Sequence, residues 1–278
     1  MKPQVNKPKQ KDKKRFKLGL PPAALVFTGE KKIETVDITM ITYDIDGVSE
    51  EVITLDQLPE VLKSKRKVLW IDIDGLHDVE LIEKVGAIFS IHRLTLEDIL
   101  NVQQRPKMEV FDEYIFAVLK MIQCLTPESE VEEEQISFLL MDDVLVTFQE
   151  KKGDVFNYVR ERIIEFKGNI RKRSGDYLLY ALLDAVIDNY FLVLENVGEK
   201  IDNLEARAMN NPDTETLNQL YRQRREMAEL RRTVYPLREV IGGFDKYAEH
   251  KINPETKPFM RDLYENTKTL YKTLFGEP

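Results

Sequence analysis

The sequence predicts an α/β fold: a mixed sheet sandwiched between helices, followed by a long helical hairpin and the start of a further long helix. Three observations lead to this fold class. From about residue 23 to residue 149, short apolar runs alternate with turns, which is typical of strands mixed with short helices. After Gly153 the apolar positions recur at helical spacing. The 278 residues are 42% hydrophobic, which is enough to bury a sizeable core.

In the first half, strands are predicted where apolar runs end at turn residues. The predicted strands cover residues 33–43, 68–73, 109–124, 136–141 and 144–148. The last two are expected to form a hairpin across Asp142 and Asp143. Short helices are predicted at residues 54–63 and 78–89, and another begins at Leu94. We expect that third helix to end at Pro106, because proline cannot continue the hydrogen-bond ladder.

In the second half, a helix is predicted at 154–166 and a much longer one from about 171 to 209. Asn210-Asn211-Pro212-Asp213 should break the long helix, with Asp213 or Thr214 as the N-cap of the next. That next helix carries one apolar stripe from Leu220 to Ile241, so the pair should form an antiparallel hairpin. A last helix, with Asn253 as its expected N-cap, runs to Phe275 and has the pattern of an element cut short.

Composition excludes several classes of protein. Residues 1–20 hold eight Lys and Arg side chains and one Asp, whereas the whole chain carries a net charge of −8. The basic tail is therefore predicted to be disordered, and the acidic remainder disfavours nucleic acid as a partner. Cys124 is the only cysteine, which excludes a disulfide framework and a cysteine-based zinc cluster. No stretch of about 20 uncharged apolar residues is present, so no membrane-spanning helix is predicted.

Three groups of carboxylates are candidates for chemistry. Glu97 and Asp98 are adjacent on a short helix among apolar residues, and read alone they could be a solvated pair. Asp184 and Asp188 lie four residues apart within the most apolar part of the long helix. Carboxylates in such surroundings favour pairing or a bound cation, and oxygen ligands suit Mg²⁺ or Ca²⁺. Asp262, on the last helix, has no special feature in the sequence alone.

Two stretches suggest a different chemistry. Residues 40–48 and 69–75 each resemble the apolar strand and Asp-x-Asp-Gly start of haloacid-dehalogenase-like phosphatases. In that class the nucleophile would be Asp44 or Asp72. An Asp-Gly pair after a strand is also a common way to turn the chain, and we favour this interpretation. No Gly-rich phosphate loop, GxSxG or HExxH motif is present.

A set of ordered motifs closely resembles the cytosolic domain of CorA-type divalent-cation transporters over nearly the whole chain after the basic tail. The motifs are Leu96-Glu97-Asp98-Ile99-Leu100-Asn101, Gln104-Arg105-Pro106-Lys107, Gly19-Leu20-Pro21-Pro22, Trp70-Ile71-Asp72-Ile73-Asp74-Gly75, Phe148-Gln149-Glu150-Lys151, Gly153-Asp154-Val155-Phe156, Asp176-Tyr177-Leu178-Leu179-Tyr180, Asp188-Asn189-Tyr190-Phe191 and Tyr235-Pro236-Leu237-Arg238-Glu239. Their order and number make the resemblance specific, although no single motif would.

The resemblance implies a metal-ion transporter and not an enzyme. It implies a homopentamer whose membrane helices follow this fragment, which would be soluble on the cytoplasmic side of the membrane. Mg²⁺ bound between subunits favours the closed state of such transporters. By motif position, Glu97 and Asp98 would face Asp262 of the next subunit. Asp184 would join a second site, and Asp188 is a further candidate ligand because of its position four residues after Asp184. Co²⁺, Ca²⁺ or Zn²⁺ could occupy the same sites.

The resemblance also divides the chain, and some alternatives stay open. The predicted parts are a basic tail (1–20), an α/β domain (21–168), a helical hairpin (169–250) and the start of a stalk helix (251–278) that leads to an absent membrane domain. A zinc-transporting member of the same superfamily is one alternative. A helical interaction module without ions is another, beside the phosphatase.

Overall fold

The computed structural model describes residues 19, 21–63, 68–124, 126, 129–210, 213–248 and 250–276. The predicted disordered tail lies outside these residues except for Gly19. The described strands are β1 (Asp37–Tyr43), β2 (Val48–Ile53), β3 (Val68–Asp74), β4 (Lys107–Val110), β5 (Ile115–Gln123), β6 (Glu132–Met141) and β7 (Val144–Gln149). The described α-helices are α1 (Leu58–Val61), α2 (Val79–Ile88), α3 (Arg93–Leu100), α4 (Asn157–Ile164), α5 (Gly175–Asn210), α6 (Thr214–Val234), α7 (Leu237–Tyr247) and α8 (Lys257–Phe275).

The strands form one mixed sheet in the order β2-β1-β3-β7-β6-β5-β4. β3 and β7 pair in parallel, and the other neighbours pair antiparallel. Side chains alternate between the two faces of the sheet, and each face has its own core. Leu69 and Ile71 of β3 belong to the core shared with α2 and α3, whereas Trp70 belongs to the core shared with α4 to α8. The predicted α/β sandwich is therefore confirmed.

The single long strand predicted at 109–124 is wrong. The chain reverses between β4 and β5, where the Phe111 N–H donates to the Tyr114 carbonyl (2.8 Å), and the two strands pair antiparallel. The sequence between them carries only Asp112 and Glu113 as turn residues, which is a weak signal. Strand β2 was not predicted at all, because Ser49, Glu50 and Glu51 make this edge strand largely polar.

Helix α3 ends at Leu100 and not at Pro106. The backbone of Asn101 leaves the helical region (φ −89°, ψ 81°), so the helix stops five residues before the proline. The Leu100 carbonyl instead accepts the Thr28 N–H (3.1 Å). The end of this helix therefore coincides with a tertiary contact to the N-terminal segment and not with the proline.

Helices α5 and α6 form the predicted hairpin. Arg207 near the end of α5 donates to Thr216 (3.4 Å) and Gln219 (3.1 Å) near the start of α6. Asp213 is the N-cap of α6, and its carboxylate accepts the Thr216 N–H (2.6 Å), as predicted. Residues 211 and 212 of the predicted break lie outside the described residues.

Two details of the helical half differ from expectation. The stripe predicted as one helix to Ile241 is divided into α6 and α7 at Tyr235-Pro236, because the proline nitrogen cannot donate to the preceding turn. The N-cap of α8 is Thr256 and not Asn253. The backbone and side chain of Asn253 donate instead to Asp176 of α5 (2.8 and 3.0 Å), which fastens the start of α8 to α5.

Within the described part of the chain, α5 is the one helix whose length and composition would allow it to cross a bilayer. Of its most apolar stretch, 61% is buried inside the fold, where it belongs to the core on one face of the sheet. Its apolar character is therefore accounted for by packing. The predicted boundaries at 168/169 and 250/251 fall between α4 and α5 and between α7 and α8, and the division into domains stays a prediction.

Candidate metal centre

The acid pair lies on α3, whose apolar side chains Leu96, Ile99 and Leu100 are buried beneath the sheet face shared with α2. This packing leaves Glu97 and Asp98 on the half-buried side of the helix. Only 18% of the Asp98 side chain is exposed, and its carboxylate lies 2.5 Å from the ammonium of Lys107. Burial raises the pKa of Asp98, whereas the hydrogen bond and charge of Lys107 lower it.

Glu97 contacts the segment that precedes β1. Its carboxylate accepts the Ala23 N–H (3.1 Å), and Arg93, one turn earlier on α3, donates to the Ala23 carbonyl (2.9 Å). Arg93 also pairs with Glu83 of α2 (3.2 Å). The N–H and the carbonyl of Ala23 therefore both hold the N-terminal segment against α3.

The second group of acids lies on α5 and α8. Asp184 is half-buried and shares a hydrogen bond with the Tyr180 hydroxyl (3.3 Å), while Asp188 is exposed one turn later. Burial, together with the charges of Asp188 and Asp262, raises the pKa of Asp184 to about 6, against smaller opposing effects of Tyr180 and Arg162. We call Asp184, Asp188 and Asp262 the α5–α8 acids.

An aromatic contact brings Asp262 to this position. The ring of Phe259 on α8 packs against Tyr177 and Tyr180 of α5, with centroids 5.2 and 5.3 Å away. Asp262 follows Phe259 by one helical turn and is exposed. Within one chain, the fold therefore brings Asp262 near Asp184, although 78 residues separate them in the sequence.

The structure does not bring all five predicted residues together. Glu97 and Asp98 lie on the helix layer of one sheet face, and the α5–α8 acids lie on the layer of the other. Among the described residues, no group of three or more His, Cys, Asp and Glu side chains could hold a metal ion by itself. The predicted ligands are thus divided between the two layers, with the sheet between them.

In the two phosphatase-like stretches, the carboxylates of Asp44 and Asp72 accept hydrogen bonds from neighbouring groups of the chain. The Asp44 carboxylate accepts the N–H groups of Asp46 and Gly47 (both 2.9 Å), which is the predicted turn between β1 and β2. Asp72 is 3% exposed and accepts hydrogen bonds from Thr147 (2.6 Å) and Gln149 (2.8 Å). An enclosed carboxylate of this kind has no room for a substrate.

Arg160 completes a buried cluster around Asp72. Its guanidinium lies 2.7 Å from Asp72 and 2.6 Å from Asp154, and over the ring of Trp70 at 4.8 Å. Asp74 follows on the same face of β3. We call Asp72, Asp74, Asp154 and Arg160 the Arg160 cluster. In the sequence, these acids are recognisable only as parts of motifs. Their common partner, Arg160 of α4, was not predicted.

Comparisons with known proteins show similarity to metal-ion transporters. The family model described as "CorA-like Mg2+ transporter protein" matches residues 65–275. The "Cobalt/magnesium transport protein CorA" of Thermotoga maritima is 42% identical over 258 residues, covering 93% of this chain and 73% of that protein. The "Putative metal ion transporter YfjQ" of Bacillus subtilis is 26% identical and covers 71% of this chain and 60% of that protein.

Solved structures share the fold at low sequence identity. The soluble domain of CorA from Methanocaldococcus jannaschii superposes with a TM-score of 0.68 at 18% identity, covering 85% of this chain and 90% of that one. The cytoplasmic domain of ZntB from Vibrio parahaemolyticus gives 0.65 at 15% identity, covering 85% and 91%. These likenesses establish the architecture.

Proposed function

Because the chain belongs to the CorA-like Mg²⁺ transporter family, we propose that it is the cytosolic, cation-sensing part of a divalent-cation transporter. Mg²⁺, or Co²⁺ in its place, binds between neighbouring subunits and favours the closed state. One observation carries this proposal: the predicted carboxylates are divided between two opposite layers, and among the described residues neither layer holds a group that could bind a metal ion by itself. A second copy of the chain can supply the missing half.

Ligands on two opposite layers are compatible with a ring of identical subunits. In a head-to-tail ring, one face of each subunit meets the other face of its neighbour. Glu97 and Asp98 of one subunit would then face Asp262 and Asp184 of the next. The family resemblance supports a pentamer, attached to the cytoplasmic side of the membrane through helices beyond this chain. Both the number of subunits and the membrane attachment are part of the proposal.

Electrostatics explains how a cation would control such an interface. Two carboxylates about 4 Å apart repel by about 4 kcal/mol at an effective dielectric of 20. A divalent cation between them turns this repulsion into attraction, so the ion stabilises whichever arrangement gathers more carboxylates. Oxygen ligands suit Mg²⁺, which retains several waters and binds few carboxylates directly. We therefore expect the sites to bind Mg²⁺ with modest affinity and to exchange the bound ion with the surrounding solution.

The test is the thermal stability of the chain in Mg²⁺ and in chelator, at protein concentrations that allow association. At ten times the dissociation constant, bound Mg²⁺ should stabilise the folded chain by about 1.4 kcal/mol, which raises Tm by about 2–4 °C. Asp98→Asn and Asp262→Asn should each remove most of this increase. Asp202→Asn is the matched control, because Asp202 is an exposed acid on α5 outside the α5–α8 acids.

Analytical ultracentrifugation under the same conditions reports association directly. Mg²⁺ should shift the chain toward the oligomer, and the two site variants should remain at the lower mass. A Tm that is equal in Mg²⁺ and chelator for the unchanged chain, with no change in mass, would contradict the proposal. Equal losses in Asp202→Asn and Asp98→Asn would show a general charge effect in place of a site.

A further inference from the structure

The ammonium of Lys107 lies where a cation would have to bind to Asp98. Its nitrogen is 2.5 Å from the Asp98 carboxylate and 3.0 Å from that of Glu109. It also lies 5.9 Å from the centroid of the Phe116 ring. Lys107 is 26% exposed and Asp98 is 18% exposed, so water screens this pair less than it screens an ordinary surface pair. The chain thus supplies its own cation to one half of the candidate metal centre.

The two partners come from rigid elements. Lys107 is the first residue of β4, where it lies opposite Val118 of β5. Asp98 is on α3, and its backbone carbonyl accepts the Gln135 side-chain amide of β6 (3.1 Å). Neither backbone needs to move for the contact to break, because the four-carbon side chain of lysine can rotate away. Glu109, two residues along β4, already contacts the ammonium and can keep it.

We propose that Lys107 is a tethered competitor that sets the divalent-cation concentration at which Asp98 is filled. This inference rests on the proposed function and concerns the regulation of the same site. Without a divalent ion, the ammonium bridges Asp98 and Glu109. When Mg²⁺ binds Asp98, the ammonium leaves that carboxylate and stays with Glu109. The ion must therefore displace a bound charge, which raises the concentration that it needs.

The α5–α8 acids differ in this respect. Among the described residues, no lysine or arginine nitrogen lies within 4.0 Å of Asp184, Asp188 or Asp262. Within the part of the chain that the structure describes, competition by a cation of the same chain therefore occurs at Asp98 and not at the α5–α8 acids. This asymmetry means that one substitution on β4 should change the threshold for the ion without removing any proposed ligand.

The test compares Lys107→Met with the unchanged chain. Methionine keeps most of the apolar stem and removes the charge. The measurement is the Mg²⁺ concentration that gives half of the full increase in Tm. Removing a partly screened ion pair worth about 1 kcal/mol should lower this midpoint about fivefold. Lys84→Met is the matched control, because it removes the exposed Lys84–Glu80 pair (2.7 Å) on α2 and should leave the midpoint unchanged.

A second variant predicts the opposite direction. Glu109→Gln takes away the alternative partner of the ammonium, so Lys107 should hold Asp98 more firmly and the midpoint should rise. This variant keeps the inference testable if Lys107→Met does not fold. An unchanged midpoint in either folded variant, or the loss of the Mg²⁺ response in Lys107→Met, would overturn the inference. A missing response in the unchanged chain would instead overturn the proposed function.

Discussion

Two groups of three aspartates lie on the same side of the sheet and have different surroundings. In the Arg160 cluster, Asp72 and Asp154 lie within 2.7 Å of one guanidinium. Asp184 of the α5–α8 acids contacts a tyrosine hydroxyl, and no basic nitrogen among the described residues lies within 4.0 Å of that group. The first group has its cation built into the chain, whereas the second has none among the described residues and is proposed to receive one from outside. A group of carboxylates therefore does not by itself identify a candidate metal site. The informative feature is whether a basic side chain of the same chain already neutralises the group.

Burial accounts for the difference. The side chains of Asp72 and Asp154 are 4% and 5% exposed, and a buried charge needs a partner at all times. Asp188 and Asp262 are exposed, so water can replace a cation when none is bound. Asp98 lies between these extremes, because it is partly buried and pairs with Lys107.

The largest effect is expected from breaking the Arg160 cluster. Arg160→Met leaves Asp72 and Asp154 buried without a cation and should lower the free energy of unfolding by about 3–5 kcal/mol. Urea denaturation measures this loss. Arg261→Met is the control, because the exposed Arg261–Asp245 pair (3.3 Å) should contribute less than about 0.5 kcal/mol. Similar losses in both variants would mean that the cluster is no more essential than a surface pair.

A smaller effect is expected from Asp74 in the same cluster. Burial and the charges of Asp72 and Asp154 raise the pKa of Asp74 to about 7, against the weaker effects of Lys152 and Arg160. The folded chain then holds a proton that the unfolded chain releases near pH 4, so stability falls as pH rises from about 4 to about 7. Asp74→Asn should flatten this slope and stabilise the chain by about 2–4 kcal/mol at pH 8. Parallel pH profiles of unfolding in the two proteins would contradict this expectation.

The smallest effect is expected at the α5–α8 acids. Asp184→Asn removes a half-buried carboxylate that repels Asp188 and Asp262, so in chelator it should stabilise the chain by about 0.5–1 kcal/mol. In saturating Mg²⁺ the same variant should be less stable than the unchanged chain, because a proposed ligand is lost. Thermal unfolding in both conditions measures this change of sign. Destabilisation of equal size in both conditions would assign Asp184 a structural role in place of a metal-binding one.

Much of the fold could be predicted because it follows from local patterns. The apolar runs at β3 and β7, the helical spacing in α5 and the capping aspartate at 213 each depend on neighbours within a few residues. The errors occurred where a distant contact overrides the local signal. Helix α3 ends where Thr28 takes its last carbonyl. The turn between β4 and β5 has few turn-forming residues, and the pairing of the two strands in the sheet determines its position.

The sequence by itself determined the fold class, the family and the identity of five carboxylates as candidates. Only the tertiary structure decided which charges meet, Asp98 with Lys107 and Asp72 with Arg160, and that the charge of Asp262 acts on Asp184. Partners of this kind are set by strand register and helix packing, which act between residues up to 88 positions apart. A motif shows that a carboxylate is present, but the fold decides whether its neighbour is an arginine, a lysine or open space for an ion.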